Sequence, residues 1–147
     1  MDDQEYCHLC AKEDGEVLYV ALKWYVVLVR DGHYPGFCRV VWNEHVKEMT
    51  DLSPADRQTF MEAVWQVELI VREIMKPHKI NLVSLGNMIP HLHWHVIPRY
   101  KTDVQFPGAI WARPQRDINV DELDEREALL PLLREALKTR LFGNGRD

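Results

Sequence analysis

The chain has 147 residues, 46% hydrophobic and 28% charged, a balance that supports one folded domain with its own core. Its 18 Lys and Arg against 23 Asp and Glu leave a formal net charge of -5, which excludes a general attraction to nucleic acid polymers or anionic membranes. The longest near-apolar run, Val17 to Val29, is broken by Lys23 and is shorter than the roughly 20 residues of a bilayer span. The acidic opening Met1-Asp2-Asp3-Gln4-Glu5 lacks a secretory pattern and the cysteine count of three argues against a disulfide scaffold, so a cytoplasmic protein without a membrane contact is expected.

Along the chain, Cys7-His8-Leu9-Cys10 comes first, a knuckle whose two thiolates could take two corners of a zinc tetrahedron. Val17 to Val20 and Trp24 to Arg30 read as strands joined in a hairpin by Ala21-Leu22-Lys23, and Phe37 to Trp42 as a third strand after the loop Asp31 to Gly36. Ser53-Pro54 marks a helix start, and Phe60, Val64, Val67, Val71, Ile74 and Met75 recur at helical spacing up to a stop near Lys76-Pro77. Ile80 to Leu85 and His91 to Arg99 read as fourth and fifth strands with a turn at Gly86-Asn87. Lys101 to Val120 reads as extended surface chain, Glu127 to Leu141 as a C-terminal helix delayed or kinked by Pro131, and Gly143 to Asp147 as a frayed end. This order predicts a single α+β domain over residues 1–147: an antiparallel sheet of about five strands, one long helix and a C-terminal helix, with the core over about 7–100.

The run His91-Leu92-His93-Trp94-His95-Val96-Ile97 concentrates the chemistry. On a strand the three imidazoles would share one face while Leu92, Trp94 and Val96 share the other. Two readings compete. His91 and His93 could chelate a catalytic zinc with a ligand from elsewhere, although His91 and His95 stand roughly 13 Å apart on an extended backbone and can hardly share one ion. Alternatively, a neutral imidazole is a nucleophile toward phosphorus, assisted by its neighbours.

The histidine run resembles the signature of the histidine triad superfamily of nucleotide hydrolases and transferases. Tyr34-Pro35-Gly36, Trp42-Asn43-Glu44-His45-Val46, Ser53-Pro54 and Pro98-Arg99 are similar to the family's order from about residue 7 to 100, and Leu85 to His95 looks like a bacterial branch of it. The resemblance implies a homodimer of the corresponding α+β fold, acting on a nucleotide or dinucleotide. His93 would attack the α-phosphate to form a nucleotidyl-histidine, His95 would bind the phosphate, a backbone carbonyl would orient His93, and no metal would be needed for the reaction. It also implies that Asn87 lies near the phosphates and Asp31 near the ribose, and that a structural zinc is held by Cys7, Cys10, His45 and His91. His91 thereby carries both a triad role and a ligand role.

The chain departs from the family pattern at Met88, where many relatives place a hydroxyl that protonates the leaving group, in a short link before the triad, and at Trp94, read as core packing. Met88 keeps open a nucleotide-binding or regulatory protein with little turnover. Of the remaining candidates, Cys38 reads as a core thiol, and His33 and His78 as solvent-facing. His8 is an alternative ligand in the knuckle. Arg39, Lys79 and Arg99 read as surface residues that could add local positive charge, and Trp111 could stack on a base or cover the site mouth.

Overall fold

Side-chain alternation along the strands sorts the residues onto two faces, and both are buried. Trp24, Val26, Leu28, Cys38, Val40, Trp42 and Val96 join the main core, while Tyr25, Val27 and Val41 pack with Leu9 behind them. In the computed structural model, which describes residues 6–143, these strands are β1 (Glu16–Val20), β2 (Trp24–Leu28), β3 (Cys38–Trp42), β4 (Lys79–Val83) and β5 (His93–Arg99). They form one antiparallel sheet in the order β1-β2-β3-β5-β4. The acidic opening and residues 144–147 of the tail read as frayed lie outside the described residues.

The expected long helix is α1 (Pro54–Met75). Ser53 Oγ accepts from the Asp56 amide at 3.1 Å, proline occupies the first turn, and Lys76 closes the helix in a left-handed conformation at φ 50°. Phe60, Val64, Val67 and Val71 on its inner stripe are fully buried against the sheet, each contributing about 1.5–3 kcal/mol through removal of apolar surface from water. Among the described residues no helix is long and apolar enough to cross a membrane.

Several boundaries differ from expectation: β2 ends at Leu28, not Arg30, and β3 begins at Cys38, not Phe37. The fourth strand ends at Val83, before the turn at Gly86 with φ +70°. The fifth begins at His93, not His91: the His91 amide donates to the Ile89 carbonyl at 2.8 Å and the Leu92 amide to the Val46 carbonyl at 2.8 Å, which ends the ladder with β4 before these residues. The expected C-terminal helix is α3 (Leu130–Arg140), its start delayed to the turn that holds Pro131, and a helix the sequence reading did not contain, α2 (Val120–Glu127), precedes it. Asn119 caps α2 by accepting from the Glu122 amide at 3.1 Å, and Pro131 starts α3 in its first turn, where its missing N–H costs nothing. Because α2 buries no side chain, it left no apolar period to read.

The chain from Tyr100 to Arg116 is a series of turns gathered on a buried ion pair. Arg99 and Asp103 are 2% and 3% exposed, so Arg99 is not the surface residue expected. Its guanidinium donates twice to the Asp103 carboxylate, at 2.9 Å each, and to Asn81 Oδ1 at 2.8 Å. Asp103 further accepts from the amides of Tyr100 at 2.9 Å and Phe106 at 2.8 Å and from the Tyr34 hydroxyl at 3.2 Å. Burial alone would raise the Asp103 pKa, but Arg99 and the two amides outweigh it and hold the carboxyl below its ordinary value. A depressed carboxylate contributes stability that is complete above about pH 4 and disappears as the pH falls through the folded-state value. Replacing Asp103 with alanine strands the buried guanidinium, and urea unfolding at neutral pH is expected to show a loss of about 3–5 kcal/mol; a loss below about 1 kcal/mol would mean that the pair does not hold this loop.

Candidate active site and metal cluster

The register between β3 and β5 sets Val41 opposite His93 and Arg39 opposite His95. Arg39, His93 and His95 line a cavity of about 420 Å³ that is closed on one side by Leu85 to Ile89 and on the other by Ile110 and Trp111 of the loop held by Asp103. Within it His93 is 6% exposed and His95 5%. A carbonyl can only accept, so the 2.6 Å contact between His93 Nδ1 and the His91 carbonyl is an N–H donated by the ring. This leaves Nε2 of neutral His93 as a bare lone pair. Burial lowers the pKa of His93, partly offset by the His91 carbonyl, and burial, then His93 and Arg39, push that of His95 down to about 3. The two rings meet edge to face at 5.0 Å, and Trp111 lies 5.4 Å from His95.

His91, 0% exposed, is used differently. Its ring does not line the cavity. Nε2–H donates to the Trp42 carbonyl at 2.6 Å, which leaves Nδ1 as the free ligand atom facing Cys7, Cys10 and His45. One ligand atom from each of these four residues lies within 4.8 Å of the others. Nδ1 of His91 is 3.4 Å from Cys7 Sγ, 3.4 Å from Cys10 Sγ and 3.2 Å from His45 Nδ1, and Cys10 Sγ is 3.3 Å from His45 Nδ1. A zinc tetrahedron of two sulfurs and two nitrogens has edges of roughly 3.3–3.8 Å, so the cluster could bind a metal ion such as zinc with little rearrangement. The carbonyl bond on the remote nitrogen of His91 is the usual outer support of such a ligand. His8 stays outside, exposed and bonded to Glu13 at 2.9 Å.

Asn87 and Asp31 both line the cavity, Asn87 exposed and Asp31 half-buried with its Oδ1 accepting from the His33 amide at 2.9 Å. Met88 stands on the rim at 93% exposure. Cys38 is a core thiol, pushed up to about 12 by burial, and His33 and His78 are exposed. Sequence reasoning missed Asp14 as a lining residue and took Arg39 for a surface one. Arg39 was legible: Cys38 and Val40 point into the core, so a period of two puts Arg39 on the histidine face. Its Nε–H points at His95 Nδ1 at 3.4 Å, and Nη1 pairs with Asp14 at 2.6 Å.

Known proteins share this fold. A histidine triad protein from Bradyrhizobium japonicum is 26% identical, with a TM-score of 0.67 and coverage of 86% of this chain and 96% of that one. A second, from Marinobacter aquaeolei, is 25% identical, with a TM-score of 0.68 and coverage of 90% and 97%. Bis(5'-nucleosyl)-tetraphosphatase (asymmetrical) of Schizosaccharomyces pombe is 26% identical over 117 residues, 76% of this chain and 59% of that protein. AP-4-A phosphorylase of Mycobacterium tuberculosis is 29% identical over 100 residues, 64% of this chain and 51% of that protein. The chain thus spans between about half and three fifths of the length of these curated relatives. The HIT domain family profile matches residues 11–102, more than half of the sequence, and the chain belongs to the HIT domain family.

Proposed function

We propose that the protein is a nucleotide hydrolase or nucleotidyltransferase that opens a phosphate ester, anhydride or phosphoramidate at the α-phosphorus. The relatives from Schizosaccharomyces pombe and Mycobacterium tuberculosis, whose names point to Ap4A-like dinucleotides, favour that substrate class. The observation that carries the reading is the bare Nε2 of His93 at the cavity, with Nδ1–H committed to the His91 carbonyl. In this reading the Nε2 lone pair forms a bond to phosphorus as the bond to the leaving group breaks. The positive charge that develops on the His93 ring is stabilised through Nδ1–H by the carbonyl. A water oxygen then bonds to phosphorus as the N–P bond breaks; the bonding pair returns to Nε2 and leaves His93 neutral, the proton of the water passes to solvent, and a nucleoside monophosphate is released. His95 would donate to a phosphoryl oxygen, Asn87 would contact the phosphates, and Asp31 the ribose. At the position of Met88 there is no hydroxyl to protonate the leaving group, which favours substrates whose leaving group departs with solvent protonation alone.

Cys7, Cys10, His45 and His91 would hold zinc as a closed four-ligand structural site, and zinc there would supply a crosslink between the N-terminal segment and the residue preceding β5. A catalytic zinc shared by His91 and His93 is disfavoured, because His91 Nδ1 lies in the cluster and His93 Nδ1 is bonded to a carbonyl.

His93→Ala is expected to lower turnover of diadenosine tetraphosphate or an adenosine phosphoramidate about a thousandfold or more while circular dichroism and nucleotide affinity stay unchanged. Undiminished turnover would remove His93 from the mechanism, and nucleotide binding without turnover in the natural protein would favour a binding role. Protein purified without chelators is expected to carry zinc at one equivalent per chain, and chelation should lower the melting temperature and open Cys7 and Cys10, but not Cys38, to alkylation. Absence of metal would refute the zinc site, and loss of activity with the fold and melting temperature intact would assign the metal to catalysis. The homodimer is part of the same proposal; sedimentation equilibrium should give twice the chain mass, and a monomer throughout would contradict it.

A further inference from the structure

We infer that Arg39 is a positioning residue that holds His95 in the tautomer with its hydrogen on Nε2, and that Asp14 holds Arg39 in the pose that does so. The catalytic consequence rests on the phosphoryl-transfer reading above, whereas the tautomer itself follows from the geometry. Arg39 and His95 are direct cross-strand partners, and Arg39 Nε lies 3.4 Å from His95 Nδ1. A guanidinium offers donors and no acceptor, so the nitrogen it faces must present its lone pair. A hydrogen on Nδ1 would set one N–H against another. The other rings near His95 are His93 at 5.0 Å and Phe37 and Trp111 at 5.4 Å each, and they meet it through ring edges and faces. Among the described residues Arg39 is therefore the group that decides the tautomer.

The guanidinium is itself constrained. Nη1 is 2.6 Å from Asp14 Oδ2, the Arg39 side chain is only 18% exposed, and its centre lies 5.8 Å from the Phe37 ring. Asp14 thereby closes the segment between the cysteine knuckle and β1 onto the cavity wall. The outcome is two adjacent histidines on one strand with opposite tautomers. His93 has its hydrogen on Nδ1 and presents a lone pair at Nε2; His95 presents an N–H there. Next to a phosphate the first atom can attack phosphorus and the second can donate to an oxygen. A His95 ring with its hydrogen on Nδ1 would instead turn a lone pair toward an anionic oxygen. Burial also keeps the His95 ring neutral at physiological pH, so a tautomer and not a net charge determines what it offers.

Two-bond hydrogen-to-nitrogen NMR correlations on the full chain labelled with ¹⁵N in the imidazoles distinguish the tautomers, with His95 assigned by its disappearance in His95→Gln. At neutral pH the natural protein should show a roughly tenfold or greater excess of the Nε2–H form, the bias that a charge-assisted hydrogen bond supplies. Arg39→Met should bring the two forms to comparable populations and lower kcat by about tenfold or more, with a smaller change in KM. Asp14→Ala should reduce the excess. A His95 that carries its hydrogen on Nδ1, or on both nitrogens, in the natural protein would overturn the inference without any variant having to fold. An unchanged tautomer in folded Arg39→Met would overturn the role of Arg39, and in Asp14→Ala the role of Asp14. Failure of the phosphoryl-transfer reading is a separate result: the expected tautomer in a protein that turns over no nucleotide.

Discussion

Everything at this site depends on how His91 divides its polar atoms. Its Nε2–H goes to the Trp42 carbonyl, its Nδ1 to the cysteine and histidine cluster, and its own carbonyl to His93 Nδ1–H. Each bond restricts a different neighbour: the first ties the residue to the end of β3, the second to the N-terminal knuckle, and the third fixes the tautomer of the adjacent ring. A buried imidazole with an unused nitrogen is costly, and so is one free to rotate. The cluster removes both difficulties at once and holds the backbone just where the His93 ring needs an acceptor.

The cavity is assembled from parts far apart in the chain, each with its own anchor. The strand wall is held by the core beneath it, where Trp42 and Val96 pack with Phe60. The N-terminal wall is held by the cluster and by the Asp14 pair with Arg39, and Leu9 is fully buried between them and the sheet. The wall carrying Trp111 is held by Asp103, whose two carboxylate oxygens organise two backbone amides, a hydroxyl and a guanidinium. Burying charge to hold a loop is expensive unless every lone pair is satisfied, and at Asp103 the surrounding donors meet that condition.

Much of this was legible because periodicity reports burial. The helix from Pro54 and the alternation of β3 and β5 follow from apolar spacing, and Ser53 and Lys76 bound the helix with recognisable caps. What was hidden had no apolar period. Helix α2 buries no side chain fully and docks through the polar contacts of Glu122 and Arg126 with Thr102, and the turns from Tyr100 to Arg116 depend on one buried carboxylate that looks like any surface aspartate in the sequence. The start of β5 was misplaced for a related reason: His91 continues the alternation of the triplet in the sequence, but its amide and ring are taken by partners outside the ladder with β4. Asp14 could not be connected with Arg39 without the fold that joins them.

The central claim is that Nε2 of His93 forms a bond to phosphorus. It is tested most directly by mixing the protein with a dinucleoside polyphosphate labelled at the α-phosphate, quenching in alkali to preserve phosphoramidate bonds, and mapping the label by peptide mass spectrometry. The account predicts a nucleotidyl adduct on His93 that forms no more slowly than product is released. Turnover with no adduct at any time, or an adduct on another residue that forms and decays at the catalytic rate, would contradict it.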